Sequence, residues 1–151
     1  MNLTIKVDKQ IQIVRMGDLK PYDGNPRHNN QSAKQVAKSI ETFGYINPIV
    51  VDENKVILAG NTRFKALKLL GLKDDDEIDV MMVYGLTDDQ KRGFVIADNR
   101  VAEYSKWNMA ALDRMLGDSE IDKDLLADFG ILNVKHTKDK LQKLLEVEDL
   151  K

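Results

Sequence analysis

Cysteine is absent from this chain. Its absence excludes disulfides and any thiol chemistry, and nothing in the sequence points to secretion. Long apolar runs are absent as well. No stretch approaches the roughly 20 consecutive apolar residues of a membrane-spanning helix. No signal peptide is visible at the amino terminus, so the expected partners include no membrane and the expected location is the cytoplasm. Histidine is scarce: His28 and His136 are isolated from each other, which argues against a zinc site. Aromatic residues make up 6% of the chain, with Trp107 the single tryptophan, too scattered to form a stacking platform for bases. A Gly-x4-Gly-Lys-Ser/Thr phosphate loop, a nucleophile elbow and a dense carboxylate cluster for two metals are all missing.

What is present suffices for a core. The 151 residues are 42% hydrophobic and 32% charged, the profile of one compact domain with room for an extension. The net charge of −2 hides an asymmetry, with residues 1–71 at +5 and residues 72–151 at −7. A basic front half suits nucleotide or nucleic acid, whereas the acidic rear half repels a duplex; ordinary solvated surface explains both equally well.

Residues 3–7 and 10–15 alternate apolar and polar, predicting two half-buried strands. A loop over Asp18–Arg27 follows, punctuated by Pro21, Gly24 and Pro26. Val36, Ala37, Ile40 and Phe43 recur at helical spacing, predicting a helix from Asn30 or Ser32 to Phe43 that Gly44 stops. Pro48 to Val51 and Val56 to Ala59 flank Asp52-Glu53-Asn54-Lys55 as a hairpin. A helix from about Asn61 to Leu70 should end at Gly71, and Ile78 to Val83 reads as a strand. Thr87 and Gln90 form a capping box for a helix expected to reach about Ala97, before a polar break at Asp98-Asn99-Arg100. After Trp107 the pattern is helical only, over about 108–116, 121–129 and 137–149. The expected organisation is therefore an α+β domain over residues 1–106 and a helical extension over 107–151.

Three stretches carry candidate chemistry. Gly60-Asn61-Thr62-Arg63 reads as a strand feeding a helix through a glycine. Lacking a Cβ, that glycine lets a ligand approach the backbone. The helix start offers N–H groups and a favourable dipole to an anion, and Arg63 adds a forked donor for phosphate. The alternative is a plain strand-to-helix turn with a surface arginine. In Asn25-Pro26-Arg27 a proline stiffens the approach to an arginine, which lowers the entropy lost on gripping a ligand, or else simply makes a turn. Asp98-Asn99-Arg100 places two oxygen donors beside a cation, a set that suits Mg2+ next to a nucleotide or merely the polar end of a helix.

Their order carries a resemblance. Asn25-Pro26-Arg27, then Gly44-Tyr45-Ile46-Asn47-Pro48-Ile49-Val50-Val51, then Gly60-Asn61-Thr62-Arg63-Phe64-Lys65-Ala66 resembles the amino-terminal domain of the ParB and sulfiredoxin superfamily over roughly residues 10–106. The resemblance implies a small mixed sheet with helices, followed here by the helical extension. It implies that Gly60, Asn61, Thr62, Arg63 and Arg27 face the phosphates of a nucleoside triphosphate, CTP or ATP. Gly44, Tyr45, Ile46, Asn47 and Pro48 then lie near the base or sugar, Asp98 and Asn99 support Mg2+, and Asn25, Pro26 and Arg100 complete the pocket. Ile96-Ala97-Asp98-Asn99-Arg100 with Ser105-Lys106-Trp107-Asn108 is similar to the ParB-like domains that precede DNA methyltransferases in phages and mobile elements. Asn61 stands where a sulfiredoxin needs cysteine, which excludes that activity. Asn61-Thr62 also replaces the Glu-Arg pair usual in partition proteins.

These readings predict a nucleotide-binding switch or accessory factor in bacterial or phage DNA metabolism. Its implied partners are nucleotide, DNA or a DNA-modifying enzyme, and a second copy in a homodimer. Two alternatives stand beside it: a phosphoryl-transfer enzyme (NTPase, metal-dependent nuclease or small-molecule kinase) and a non-catalytic interaction module with a decayed pocket.

Overall fold

The computed structural model describes residues 6–25, 30–104 and 108–117. The chain divides into two compact units, Met1–Tyr104 and Ser105–Lys151. In the first, β1 (Asp8–Arg15) leads through a 3-10 turn at Met16–Asp18 and a loop to α1 (Asn30–Phe43). The hairpin β2 (Ile49–Val51) and β3 (Ile57–Ala59) feeds α2 (Asn61–Leu69), followed by β4 (Glu77–Tyr84) and α3 (Asp88–Tyr104). In the second unit the described element is α4 (Met109–Gly117), whose first turn is capped by Asn108 Oδ1 accepting from the Ala111 N–H at 3.1 Å.

The strands form one mixed sheet in the order β1-β4-β2-β3. β4 is antiparallel to β1 and parallel to β2, while β2 and β3 pair as the expected antiparallel hairpin. Alternation along the strands sorts side chains to two faces. Val14, Ile49, Val51, Ile57, Ile78, Val80 and Met82 join Phe64 and Leu67 of α2, with Ile40 of α1 against them, in the main core. Leu58 and Val83 point the other way and meet Val95 of α3. The sheet is thus covered by α1 and α2 on one side and by α3 on the other.

Several expectations change. Residues 3–5 lie outside the described residues, and Lys6 and Val7 are not in a strand, so the edge strand begins at Asp8. Within it Ile11 and Ile13 are 54% and 71% exposed, although their alternation predicts a packed face. They stand opposite Met81 and Asp79, on the face where α3 packs at Leu58 and Val83 rather than at β1. Phe43, expected on the apolar stripe of α1, is exposed because the helix ends there and Gly44 turns the chain away at φ +92°. The largest change is α3, which does not break at Asp98-Asn99-Arg100 but continues to Tyr104. No glycine or proline follows Gly93 in that helix. Asn99, rather than capping an end, donates its Nδ2 to the Val95 carbonyl at 2.8 Å. Trp107 and the helices expected over 121–129 and 137–149 lie outside the described residues.

The start of α3 is fixed twice. Thr87 and Gln90 make the expected reciprocal cap: Gln90 N–H donates to Thr87 Oγ1 at 3.2 Å, and Thr87 N–H to Gln90 Oε1 at 2.9 Å. One turn on, Lys91 is buried with its Nζ 3.1 Å from Asp52 Oδ2 and 3.0 Å from Glu53 Oε1. Burial works against the Lys91 ammonium, but its hydrogen bonds to Glu53 and Asp52 outweigh that and raise its pKa. A hydrogen bond from its own backbone, and then Lys91, hold the Glu53 carboxyl below its ordinary value.

Two outcomes are expected. Thr87→Ala should lower unfolding free energy by about 1 kcal/mol, measured by urea denaturation. The contribution of the Lys91 network is present in full above the ordinary glutamate value of 4.5 and is lost as pH falls through the depressed value of Glu53. It is likewise present below the ordinary lysine value of 10.5 and lost as pH rises through the raised value of Lys91. Glu53→Gln should therefore flatten the acid limb of a stability-against-pH curve relative to wild type.

Candidate functional site

β3 passes into α2 through one residue. Gly60 holds φ +110° and ψ 23°, a left-handed conformation that a side chain resists. A Cβ there would meet Arg63 Nη2 at 3.0 Å, Arg63 Nε at 3.1 Å and Ile49 Cγ1 at 3.1 Å. The dihedral thus favours glycine, and any Cβ would also need the Arg63 guanidinium and Ile49 to give by a few tenths of an ångström. The same Nη2 donates to the Pro48 carbonyl at 3.4 Å, tying the helix start to the segment before β2.

A cavity of about 110 Å3 opens at this corner, lined by Asn25, Leu58, Ala59, Gly60, Asn61, Thr62, Arg63, Asp98 and Asn99. It brings together a loop residue, the first turn of α2 and the middle of α3, which are far apart in sequence. Two buried polar atoms among the described residues lack a hydrogen-bond partner: Asn61 Oδ1 and Arg63 Nε. Both belong to residues of this lining. A buried acceptor and a buried donor left without partners are costly. Asn99 is oriented by its bond to the Val95 carbonyl, which leaves Oδ1 as the end that can serve a ligand.

The remaining sequence candidates sit differently. Pro26, Arg27 and His28 lie outside the described residues. Arg100 is on α3 beyond the cavity lining. Gly44, Tyr45, Ile46, Asn47 and Pro48 do not line the cavity; their link to it is the Pro48 carbonyl under Arg63. Tyr45 serves the fold. Its hydroxyl accepts from the Ile49 N–H at 2.7 Å and donates to the Asp79 carbonyl at 2.9 Å. Burial pushes the phenol above its ordinary pKa. Ile46 and Asn47 are exposed.

A larger groove of about 770 Å3 runs beside the site, walled by Tyr22, Asp23, Val95 and Ile96 and floored in part by Asp52 and Lys91. Size does not make it the better candidate, because its two buried charged side chains satisfy each other. Nothing local in the sequence marked Lys91 and Asp52 as partners, since they are brought together only by the docking of α3. Among the described residues no group of three or more His, Cys, Asp or Glu side chains could hold a metal. Asn61, Asp98 and Asn99, each with a side-chain oxygen, all line the small cavity.

Known proteins resemble this chain in sequence and in fold. The chain is 38% identical over 76 residues to the ParB-like nuclease domain-containing protein YnaK of Escherichia coli (strain K12), covering 50% of this chain and 84% of that one. It is 39% identical over 61 residues to the probable chromosome-partitioning protein ParB of Rickettsia felis, covering 39% of this chain and 21% of that one. It thus spans most of the first relative but about a fifth of the second. In fold it is similar to the C-terminally truncated chromosome-partitioning protein ParB from Caulobacter crescentus, solved in complex with CTP-gamma-S. That similarity has a TM-score of 0.60 at 20% identity, over 85% of this chain and 74% of that one. Residues 3–100 match the ParB N-terminal domain itself, and with the mixed sheet and the glycine-led corner in place the chain belongs to that family.

Proposed function

We propose that the protein binds a nucleoside triphosphate, CTP in preference to ATP, with its phosphates at the Gly60–Arg63 corner and Mg2+ beside Asp98 and Asn99. The observation that carries this reading is the meeting of Gly60, Arg63, Asp98 and Asn99 around one cavity, with an orphaned buried atom on each of two lining residues, Asn61 Oδ1 and Arg63 Nε. The first-turn N–H groups and dipole of α2 favour an anion there, and the Arg63 guanidinium already hangs over the glycine. Arg27 belongs to the same phosphate grip, with Asn25 and Pro26 shaping its approach. Gly44 to Pro48 frame the base or sugar through backbone groups, since the Tyr45 hydroxyl is engaged in the fold. CTP is put before ATP with support from the structural neighbour from Caulobacter crescentus, which was solved with CTP-gamma-S.

Bound nucleotide would hold α2 and α3 to one another through its phosphates and metal. Such a bridge biases a two-state element only by binding its states unequally. We assign the core to residues 1–106 and partner contact to the helical extension over 107–151, acting as a switch or accessory factor in DNA metabolism. A DNA-modifying enzyme suits the acidic extension as partner better than a bare duplex does. A homodimer belongs to the same proposal.

Calorimetric titration with CTP, ATP and GTP in the presence of Mg2+ tests the reading. One saturating nucleotide is expected, without turnover. Product release would move the protein into the phosphoryl-transfer class, and absence of binding to every nucleotide would leave an interaction module. Arg63→Ala should remove a charge-assisted contact of about 1.5–3 kcal/mol, roughly tenfold or more in affinity; unchanged binding would falsify the phosphate assignment. Asp98→Ala should abolish most of the Mg2+ dependence of binding while leaving metal-free binding intact. If both proteins respond to Mg2+ alike, the metal lies elsewhere.

A further inference from the structure

α3 meets its sheet along one stripe. Lys91, Val95 and Asn99 are spaced four residues apart, close to one helical turn, and so share a face. From Asp88 to Arg100 they are the three positions that are not exposed. Val95 packs with Leu58 and Val83, and apolar contact of that kind is non-directional, so it tolerates small rotations and slides. Lys91 does not. Its ammonium is held at two points by Asp52 and Glu53, and Asp52 is itself fixed because its Oδ1 accepts the N–H groups of Asn54 and Val56 at 2.9 Å each. A slip of one residue turns a helical side chain by about 100° and moves it about 1.5 Å. That would break both contacts and strand the buried carboxylate of Asp52. Two turns beyond Lys91, Asn99 and its neighbour Asp98 line the small cavity.

We propose that Lys91, gripped by Asp52 and Glu53, is the positioning residue that sets the rotation and axial register of α3 and thereby aims Asn99 and Asp98 at the Gly60 corner. The inference rests on the nucleotide reading of that corner. Lys91 itself lies outside the cavity lining and acts through the helix. A purely structural pair would change stability and binding together. A register pin changes affinity through Asp98 and Asn99, and its effect vanishes once those side chains are gone.

The test is a double-mutant cycle on the full chain, with CTP and Mg2+ binding followed by calorimetry and folding by circular dichroism. Lys91→Met combined with Asp52→Asn removes both buried charges yet keeps a side-chain oxygen for the Asn54 and Val56 N–H groups. Glu53→Gln, at a more exposed position, is the milder variant should the first fail to fold. Either folded protein is expected to bind nucleotide about fivefold or more weakly with its thermal midpoint little changed, and to add no further loss in an Asp98→Ala/Asn99→Ala background. Wild-type affinity in both folded variants overturns the proposal, and so does a loss that multiplies with that of Asp98→Ala/Asn99→Ala. If the Asp98→Ala/Asn99→Ala protein alone binds as wild type, or wild type binds no nucleotide, the reading of the corner fails first and this inference falls with it.

Discussion

The positive φ of Gly60 is the constraint on which the arrangement depends. At +110° it turns the chain out of β3 and into α2 without an intervening loop. Because α2 begins there, Phe64, Ala66 and Leu67 land on the sheet and are buried, and the helix start opens at the end of the hairpin. Any other residue would carry a left-handed strain of about 1–2 kcal/mol, large against a typical net stability of about 5–15 kcal/mol. It would also press on Arg63 and Ile49. One dihedral thus sets both the core packing of α2 and the place where its N–H groups emerge.

The opposite wall of the cavity depends on a different kind of force. α3 covers the second face of the sheet through a small apolar patch around Val95, and burying such a side chain contributes about 1.5–3 kcal/mol. Lys91 is 8% exposed and Asp52 4%. Breaking a buried pair of this sort by removing one partner costs about 3–5 kcal/mol, yet replacing both partners with apolar groups is often neutral. The network therefore adds little net stability over an apolar alternative; what it adds is direction. Hydrophobic contact brings the helix to the sheet, and the ammonium between two carboxylates fixes how it lies there.

This division explains what was legible in the sequence. The hairpin around Asp52–Lys55, the glycine stops after α1 and α2, and the Thr87–Gln90 box depend on residues within a few positions of each other, and each reads directly. Ile11, Ile13 and Phe43 misled because alternation and helical spacing report periodicity, not which face finds a partner. The polar run at Asp98-Asn99-Arg100 resembles a helix end in composition, yet no glycine or proline breaks the chain there. Asn99 instead bonds back to Val95 and the helix continues. At the candidate site, Gly60 and Arg63 could be picked out by local chemistry. That Asn25, Asp98 and Asn99 share their cavity depends on strand order and on Lys91, which no window of sequence contains. Tyr45 shows the converse: a polar side chain in a motif whose hydroxyl is consumed by the backbone of Ile49 and Asp79.

Asn61-Thr62 gives the corner a character of its own. A carboxylate in the first turn of α2 would repel phosphate oxygens, whereas the Asn61 amide presents an oxygen without charge and retains donors on the same group. Removing an arginine from the following position also takes away one full attraction, worth about 4 kcal/mol at 4 Å in partly shielded surroundings before desolvation is subtracted. The two changes oppose each other, since both act on the same phosphate oxygens. In the proposed site, phosphate affinity therefore falls more heavily on Arg63 and on a divalent cation at Asp98 and Asn99 than it would with a Glu-Arg pair.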